Sequence, residues 1–177
     1  MKKLKQFAWI ASCIIILAGC STIQQKYSDI ISMQPKPEDN RLAKAQESFQ
    51  LGREHHKKNE LIEGISAYER VIELAPDHYE AYNNLGMIYF ALGEDELGIQ
   101  YINQAIRLAP TVSFLHNNLG YALLKQGLNS EAAGAFERAL QLDPGNTHAL
   151  NNLKSAYTQM GCSQNEPCGQ WQEPRQP

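Results

Sequence analysis

The stretch that decides the fold is Asn83-Asn84-Leu85-Gly86, which recurs 34 residues later as Asn117-Asn118-Leu119-Gly120. A second pattern keeps the same spacing: Leu74-Ala75-Pro76, Leu108-Ala109-Pro110 and Leu142-Asp143-Pro144. Self-similarity at a fixed period of this length is typical of a solenoid, in which one supersecondary unit is stacked several times. The sequence therefore predicts a stack of equivalent units.

Numbering each unit from Ala45 gives three full repeats and a half repeat, namely residues 45–78, 79–112, 113–146 and 147–161. Proline stands at the thirty-second position of each full repeat, where its missing backbone donor favours the end of a helix. Asn59, Gly93 and Gly127 occupy the fifteenth position and suit a left-handed cap that ends an earlier helix. Each repeat is therefore predicted to hold two helices, A and B.

The pattern resembles the tetratricopeptide repeat, which has Leu-Gly at its seventh and eighth positions, tyrosine at the eleventh, an aromatic residue at the twenty-fourth and proline at the thirty-second. Ser48 and His116 depart from it at the fourth position, where a large apolar residue is usual. The resemblance implies an all-α solenoid of three full 34-residue helix–turn–helix repeats with a C-terminal capping helix at 147–161. The helices are predicted near 40–58, 61–75, 79–92, 95–109, 113–126, 129–142 and 147–160.

The small residues at the eighth and twentieth positions predict close approach of the two helices of one repeat. Gly52 is expected against Gly64, and Gly86 against Gly98. Lys154 takes the eighth position of the half repeat. A lysine there is expected to face solvent, because a terminal helix has no further helix to cover it.

The N-terminus has the features of an export signal. Lys2, Lys3 and Lys5 precede an apolar run at 7–17, which is short for a membrane span, and small residues lead to Cys20. Leu17-Ala18-Gly19-Cys20 resembles the lipobox of bacterial lipoproteins. The alternative is ordinary signal cleavage beside an incidental cysteine.

The lipobox resemblance implies a signal peptide at 1–19, acylation of Cys20 and a tether at 20–44. Ser21 follows the cysteine, and by the sorting pattern of such lipoproteins this implies an outer-membrane protein, anchored by lipid and facing the periplasm. Without the signal, 13 basic residues remain against 19 acidic ones, a net charge of −6. This balance argues against nucleic acid as a partner.

The polar tail at 162–177 contains Cys162 and Cys168. Export to an oxidising compartment favours a disulfide between them, while two free thiols are the alternative. A metal site is less favoured, because zinc needs four ligands and no histidine lies nearby in the sequence.

No motif of a known catalytic or cofactor-binding class occurs, and the five histidines are scattered over unrelated repeat positions. The expectation is a protein that is not an enzyme and takes no cofactor or metal.

The resemblance places the ligand surface on the inner face of the A helices. At the sixth position stand Gln50, Asn84, Asn118 and Asn152, amides that can hydrogen-bond a peptide backbone whatever its sequence. The neighbouring apolar residues are Met87, Phe90, Phe114, Tyr121 and Leu124. The prediction is a groove for a protein or peptide ligand, formed above all by Asn84, Asn118, Asn152, Met87, Phe90, Tyr121 and Leu124. The alternative is that the amides only pack one repeat on the next.

One subfamily of these repeats grips the acidic C-termini of chaperones with a carboxylate clamp. Its five positions are occupied here by Phe49, Arg53, Asn84, Phe114 and Asn118, and only Asn84 agrees with the clamp. The chain is therefore not expected to belong to that subfamily.

By analogy of architecture, the chain resembles small repeat lipoproteins of pilus or secretion-pore assembly, of the pilotin or Tad type. Two other interpretations stay open: an adaptor that recruits cell-wall hydrolases, and a structural module that associates with copies of itself.

Overall fold

The structure is a computed structural model that describes Lys26 and residues 37–161. The chain divides into two compact units, Met1–Arg41 and Leu42–Pro177, and the repeats lie in the second. Within residues 37–161 the secondary structure is entirely helical. The helices are α1 Pro37–Lys57, α2 Leu61–Leu74, α3 Tyr79–Ala91, α4 Asp95–Leu108, α5 Ser113–Lys125, α6 Asn129–Leu142 and α7 Thr147–Gln159.

The predicted repeat fold is confirmed, and α2 to α7 begin and end within one residue of their predicted limits. The A helices are α1, α3, α5 and α7, and the B helices are α2, α4 and α6. Helix α1 starts at Pro37, three residues earlier than expected, so residues 37–44 are helical although they were assigned to the tether. Proline is favoured at the first helical position. The negative charges of Glu38 and Asp39 in the first turn stabilise the helix by interacting with the positive end of its dipole.

The A helices end as their fifteenth-position residues predict. Asn59, Gly93, Gly127 and Gly161 have φ angles of 61°, 84°, 77° and 79°. In the second repeat, Gly93 N donates to Phe90 O at 3.1 Å and Glu94 N to Tyr89 O at 3.0 Å, which is the Schellman pattern. The same pair of bonds occurs around Asn59 and Gly127. Each full repeat therefore turns from helix A into helix B through a left-handed residue at its fifteenth position.

Glycine at the eighth position lets the two helices of a repeat touch. An added Cβ at Gly86 would lie 2.7 Å from Gly98 O, as the predicted pairing requires. The pairing of Gly52 with Gly64 is only approximate, because the nearest neighbour of Gly52 is the Tyr68 ring at 2.7 Å. The ring of Tyr68 is larger than the side chain of Ile102 in the next repeat, so it takes the space beside this glycine.

The core runs through the stack between the A and B helices. The largest fully buried side chains in the described region are Tyr68, Val71, Leu85, Ile88, Ile102, Leu115, Phe136 and Leu153. Helix α7 covers the last B helix with Ala149, Leu153 and Ala156, while Lys154 is exposed. The last described helix thus closes the core with one apolar face, as a capping helix requires.

Candidate functional site

Amide side chains tie the A helices together side by side. Asn118 Nδ2 on α5 donates to Asn83 Oδ1 on α3 at 2.9 Å. Asn152 Nδ2 on α7 donates to Asn117 Oδ1 on α5 at 3.1 Å. Sixth-position amides therefore bond the fifth-position amides of the preceding repeat, and we name this series the amide ladder.

The amide ladder supports the packing interpretation for Asn118 and Asn152. Each donates a hydrogen bond to the preceding repeat. Asn83, which accepts the bond from Asn118, is only 5% exposed. Satisfying a buried amide is a sufficient reason for asparagine at these positions. Both residues remain half-buried, and their proposed part in ligand binding stays a prediction.

Asn84 stands at the same repeat position but outside the amide ladder. The residue 35 positions earlier, where the ladder requires an acceptor, is Phe49. Its ring centroid lies 5.7 Å from that of Tyr68 and 4.6 Å from that of His78, so it belongs to an aromatic cluster. Since a phenyl ring offers no amide oxygen, the ladder ends at Asn83 and does not continue from Asn84 to α1.

A cleft of about 510 Å³ opens where the amide ladder ends. It lies between the first and second repeats, and its lining residues are Gln50, Arg53, Glu54, His56, Lys57, Tyr68 and Asn84. Except for Glu54, all of these side chains can donate hydrogen bonds. We name this space the donor cleft.

Tyr68 is the residue of the donor cleft that the repeat pattern does not single out. Its ring fills the twenty-fourth position of the core and has no solvent exposure, yet its hydroxyl has no hydrogen-bond partner within residues 37–161. Burial raises the pKa of this phenol, and the Asn84 amide and the Arg53 charge oppose that rise. The phenol is therefore protonated, and its hydroxyl lies beside the Asn84 amide and the Arg53 guanidinium at the cleft.

His56 adds a weakly basic group to the donor cleft. Burial lowers its pKa, so the imidazole is neutral at pH 7 and acts as a hydrogen-bonding group without charge. This side chain reaches the cleft from α1.

Three of the four remaining described histidines make local contacts. His55 Nδ1 lies 2.7 Å from Glu60 Oε2, with the histidine half-buried and the glutamate exposed. His116 Nε2 bonds Pro110 O at 2.9 Å. His78 contacts Phe49 and Glu80, and His148 is exposed near the start of α7. In residues 37–161 no group of three or more histidine, cysteine or acidic side chains could hold a metal ion.

The predicted apolar residues form a second feature next to the donor cleft. The rings of Phe90 on α3 and Tyr121 on α5 meet edge to face, 6.2 Å between centroids, and Lys125 Nζ lies 5.6 Å from the centroid of the Tyr121 ring. Tyr121 is 36% exposed and Phe114 40% exposed. We name Phe90, Phe114 and Tyr121 the aromatic patch.

Met87 and Leu124 are less accessible to a ligand than the sequence predicts. Both are half-buried, and Leu124 packs against the core cluster under α7. The leucine is held there because its helix must cover the last B helix. The structure thus brings Phe90 and Tyr121 together and turns Leu124 partly inward.

Three of the predicted site residues lie outside the described residues: Cys20, the predicted lipidation site, and Cys162 and Cys168, the predicted disulfide. The predicted signal peptide lies there as well. Among the described helices, none is both long and apolar enough to cross a membrane.

Solved structures of repeat domains share this fold. The first tetratricopeptide-repeat domain of Spaghetti (RPAP3), bound to the HSP90 peptide SRMEEVD, is 24% identical with a TM-score of 0.64; the match covers 67% of this chain and 94% of that one. The second such domain of human RPAP3, in complex with the HSP70 peptide SGPTIEEVD, is 26% identical with a TM-score of 0.61 and coverages of 66% and 97%. The crystal structure of MamA is 19% identical with a TM-score of 0.62 and coverages of 73% and 87%.

None of the curated protein sequences compared with the chain matches it. Two family profiles, both described as tetratricopeptide repeat, match residues 49–113 and 113–146. These matches fall on the helices α1 to α6, and the second one spans the third repeat as numbered from Ala45. Residues 49–146 of this chain are therefore tetratricopeptide repeats.

Proposed function

We propose that this chain is a non-catalytic scaffold that binds a segment of another protein along its A helices. The aromatic patch is the observation that carries the proposal. Phe114 and Tyr121 leave more than a third of their surface in solvent, although the repeats bury comparable rings at Tyr68 and Phe136. Exposed aromatic rings on a rigid face are typical of binding surfaces, because they bring large contact area at little entropic cost.

The fold of the neighbours supports the same proposal. Two of the similar domains hold peptides in their structures. In this chain the A helices are locked together by the amide ladder, so the face is formed before any ligand arrives. A preformed surface loses less conformational entropy on binding.

The cellular setting of the proposal follows from the N-terminal sequence. An acylated Cys20 would hold the scaffold to the outer membrane, with the repeats in the periplasm. A partner in a pilus, a secretion pore or another envelope complex suits an anchored scaffold of this size. Replacement of Cys20 by serine is expected to leave the protein soluble or uncleaved on cell fractionation, and a cleaved, membrane-bound form would contradict lipidation.

The binding proposal is tested by crosslinking inside cells. A photoreactive residue replaces Tyr121 in one variant and Glu131, an exposed residue on the B helix α6, in the control. We expect position 121 to capture an envelope assembly protein that position 131 does not capture. Recovery of this chain alone would favour self-association, and recovery of a cell-wall hydrolase would favour the adaptor interpretation.

A further inference from the structure

The second repeat contains a cluster of three tyrosines between its two helices. The ring of Tyr89 on α3 stacks on the ring of Tyr101 on α4, with centroids 5.3 Å apart and planes inclined by 5°. The ring of Tyr82, also on α3, lies 6.4 Å from the Tyr101 ring at an angle of 35°. All three side chains are half-buried. We name these residues the tyrosine cluster, and in residues 37–161 it contains the only ring contacts between tyrosines.

The repeat architecture does not require tyrosine at all of these positions. Tyr101 takes the twenty-third position of its repeat, where the first and third repeats have Ala67 and Ala135. Tyr82 takes the fourth position, where those repeats have serine and histidine. Only Tyr89, at the eleventh position, matches the tetratricopeptide pattern. The packing of helix A on helix B therefore does not explain why one repeat collects three tyrosines.

The stacked pair has a geometry that suits coupling of the two rings. An offset stack at this separation places ring carbons in van der Waals contact, about 3.5–4.0 Å apart. Phenoxyl radicals formed on both rings can therefore join through ring carbons after a small movement of the side chains. The rings of Tyr82 and Tyr101 are farther apart and inclined, so they form the less suitable pair.

A carboxylate lies close enough to the stacked pair to accept protons from it. Burial raises the pKa of Tyr89, and the charge of Glu69 raises it further. Burial also raises the pKa of Tyr101, with further contributions from Tyr89, Glu69 and Tyr82. Both phenols are therefore protonated at neutral pH, and each must release a proton when it gives up an electron. The exposed Glu69 carboxylate, whose charge acts on both phenols, is a nearby acceptor for these protons.

We propose that Tyr89 and Tyr101 form a site of oxidative crosslinking, at which hydrogen peroxide, acting through a haem peroxidase, joins the two rings as dityrosine. Each phenol loses one electron and one proton, and a carbon–carbon bond forms between the ring carbons ortho to the two oxygens. The hydrogen atoms on those carbons then move to the oxygens, which restores both phenols. One molecule of peroxide takes up the two electrons and two protons and leaves as two molecules of water.

The crosslink affects the binding face through the residue next to it. Tyr89 is followed by Phe90 of the aromatic patch, so a covalent bond to α4 fixes the part of α3 that carries this ring. The inference goes beyond the proposed function, because the crosslink forms and is measured without the partner.

The test oxidises the purified full-length chain with a haem peroxidase and an equimolar amount of hydrogen peroxide. An equal mixture of unlabelled and isotope-labelled chains distinguishes bonds within one chain from bonds between copies. A protease that cleaves after glutamate separates Tyr89 from Tyr101 at Glu94 and Glu96, unless the two rings are joined. Mass spectrometry then identifies the linked peptides, and dityrosine fluorescence measures the yield.

We expect a linked pair of peptides that holds Tyr89 and Tyr101 of one chain and is lighter than their sum by two hydrogen atoms. Tyr89→Phe and Tyr101→Phe should each abolish this pair, whereas Tyr82→Phe and Tyr121→Phe should preserve it. Tyr121 is the matched control, because it is more exposed but contacts no other tyrosine ring in residues 37–161. The same pair should be recovered from cells treated with peroxide. Its absence from the oxidised protein or from those cells, or linkage mainly through Tyr82, through Tyr121 or between copies, would each overturn the site.

Thermal unfolding measures whether the bond fixes α3 to α4. A crosslink lowers the entropy of the unfolded chain, so the oxidised native chain should melt about 5–10 °C above the unoxidised one. Tyr89→Phe, which cannot form the bond, should melt at one temperature before and after oxidation. An equal rise in that variant, or no rise in the native chain, would contradict the fixing of these helices. Capture of a partner from position 121 does not require the bond, so failure of the crosslink would leave the proposed function standing.

Discussion

At the scale of single residues, the same amino acid at the same repeat position has two different roles. Asn118 donates to Asn83 across the repeat boundary at 2.9 Å, whereas Asn84 has Phe49 at the corresponding place. One asparagine therefore holds neighbouring helices together, and the other lines an open cleft. The difference comes from the partner 35 residues earlier and not from the asparagine itself.

This difference predicts unequal effects of two matched alanine substitutions. Asn118→Ala leaves the oxygen of the buried Asn83 without its donor and should lower the free energy of unfolding by about 1–2 kcal/mol. Asn84→Ala removes the long 3.4 Å contact from Asn83 and the weak interaction with the Tyr68 hydroxyl, so the loss of stability should stay below about 1 kcal/mol. Urea unfolding measures both values, and equal losses would contradict the separate roles.

At the scale of helices, the repeat depends on how closely A and B approach. Gly86 lies against backbone of α4, and an added Cβ would meet Ile102 Cγ1 at 2.6 Å and Gly98 O at 2.7 Å. A backbone oxygen cannot turn away as a side chain can, so the helices must separate. Gly134 also lies within a helix, α6, but is exposed and has no atom within 4 Å of the added Cβ.

The two glycines therefore predict substitutions of opposite sign. Gly86→Ala should lower the free energy of unfolding by about 2 kcal/mol, since overpacking outweighs the gain in helix propensity. Gly134→Ala should raise it by up to about 1 kcal/mol, because only propensity changes. The comparison is made by thermal or urea unfolding, and a stabilised Gly86→Ala would show that the contact is loose.

A pH effect is expected where α6 meets the capping helix α7. Burial, together with the hydrogen bond to Glu137, raises the pKa of Tyr157 from its ordinary value of 10.0 to about 12. The folded-state pKa lies above the unfolded one, so this contribution to stability is complete below pH 10 and is lost as the pH rises to about 12.

Tyr157→Phe should therefore flatten the fall in melting temperature between pH 10 and about 12. Glu137→Gln should flatten it in part, because the charge that opposes ionisation is gone. Some slope should remain, since burial also raises the pKa of Tyr68, Tyr89 and Tyr101. A slope in Tyr157→Phe equal to that of the native chain would contradict this account.

At the scale of the whole repeat array, the fold could be predicted from the sequence and much of the site could not. The helix ends depend on local chemistry, such as a left-handed glycine or a proline, so Gly93 and Pro110 were sufficient to place them. The site depends on pairs that are distant in sequence, such as Asn118 with Asn83. The sequence shows that the fifth position holds Phe49 in the first repeat and Asn83 in the second. Only the structure shows that the side chain at this position accepts a hydrogen bond from the next repeat.

The unpartnered hydroxyl of Tyr68 was beyond sequence reasoning for a further reason. An aromatic residue at the twenty-fourth position is predicted to be core, and its ring is core. Whether its hydroxyl has a hydrogen-bond partner depends on how three helices pack together, and no local sequence pattern predicts that packing.

A stack of repeats also makes the energetic value of one position depend on its place in the array, because each repeat contacts mainly its neighbours. Leucine stands at the seventh position of both the first and second repeats. Leu51 is 48% exposed on the first A helix, whereas Leu85 is fully buried between the first and second repeats.

Leu85→Ala should therefore lower the free energy of unfolding by about 2–5 kcal/mol, through lost burial and the cavity left behind. Leu51→Ala should lower it by less than about 1 kcal/mol, because roughly half of that side chain already contacts water. Denaturant unfolding of the two full-length variants gives the comparison directly. Equal losses would mean that another surface covers Leu51 in solution.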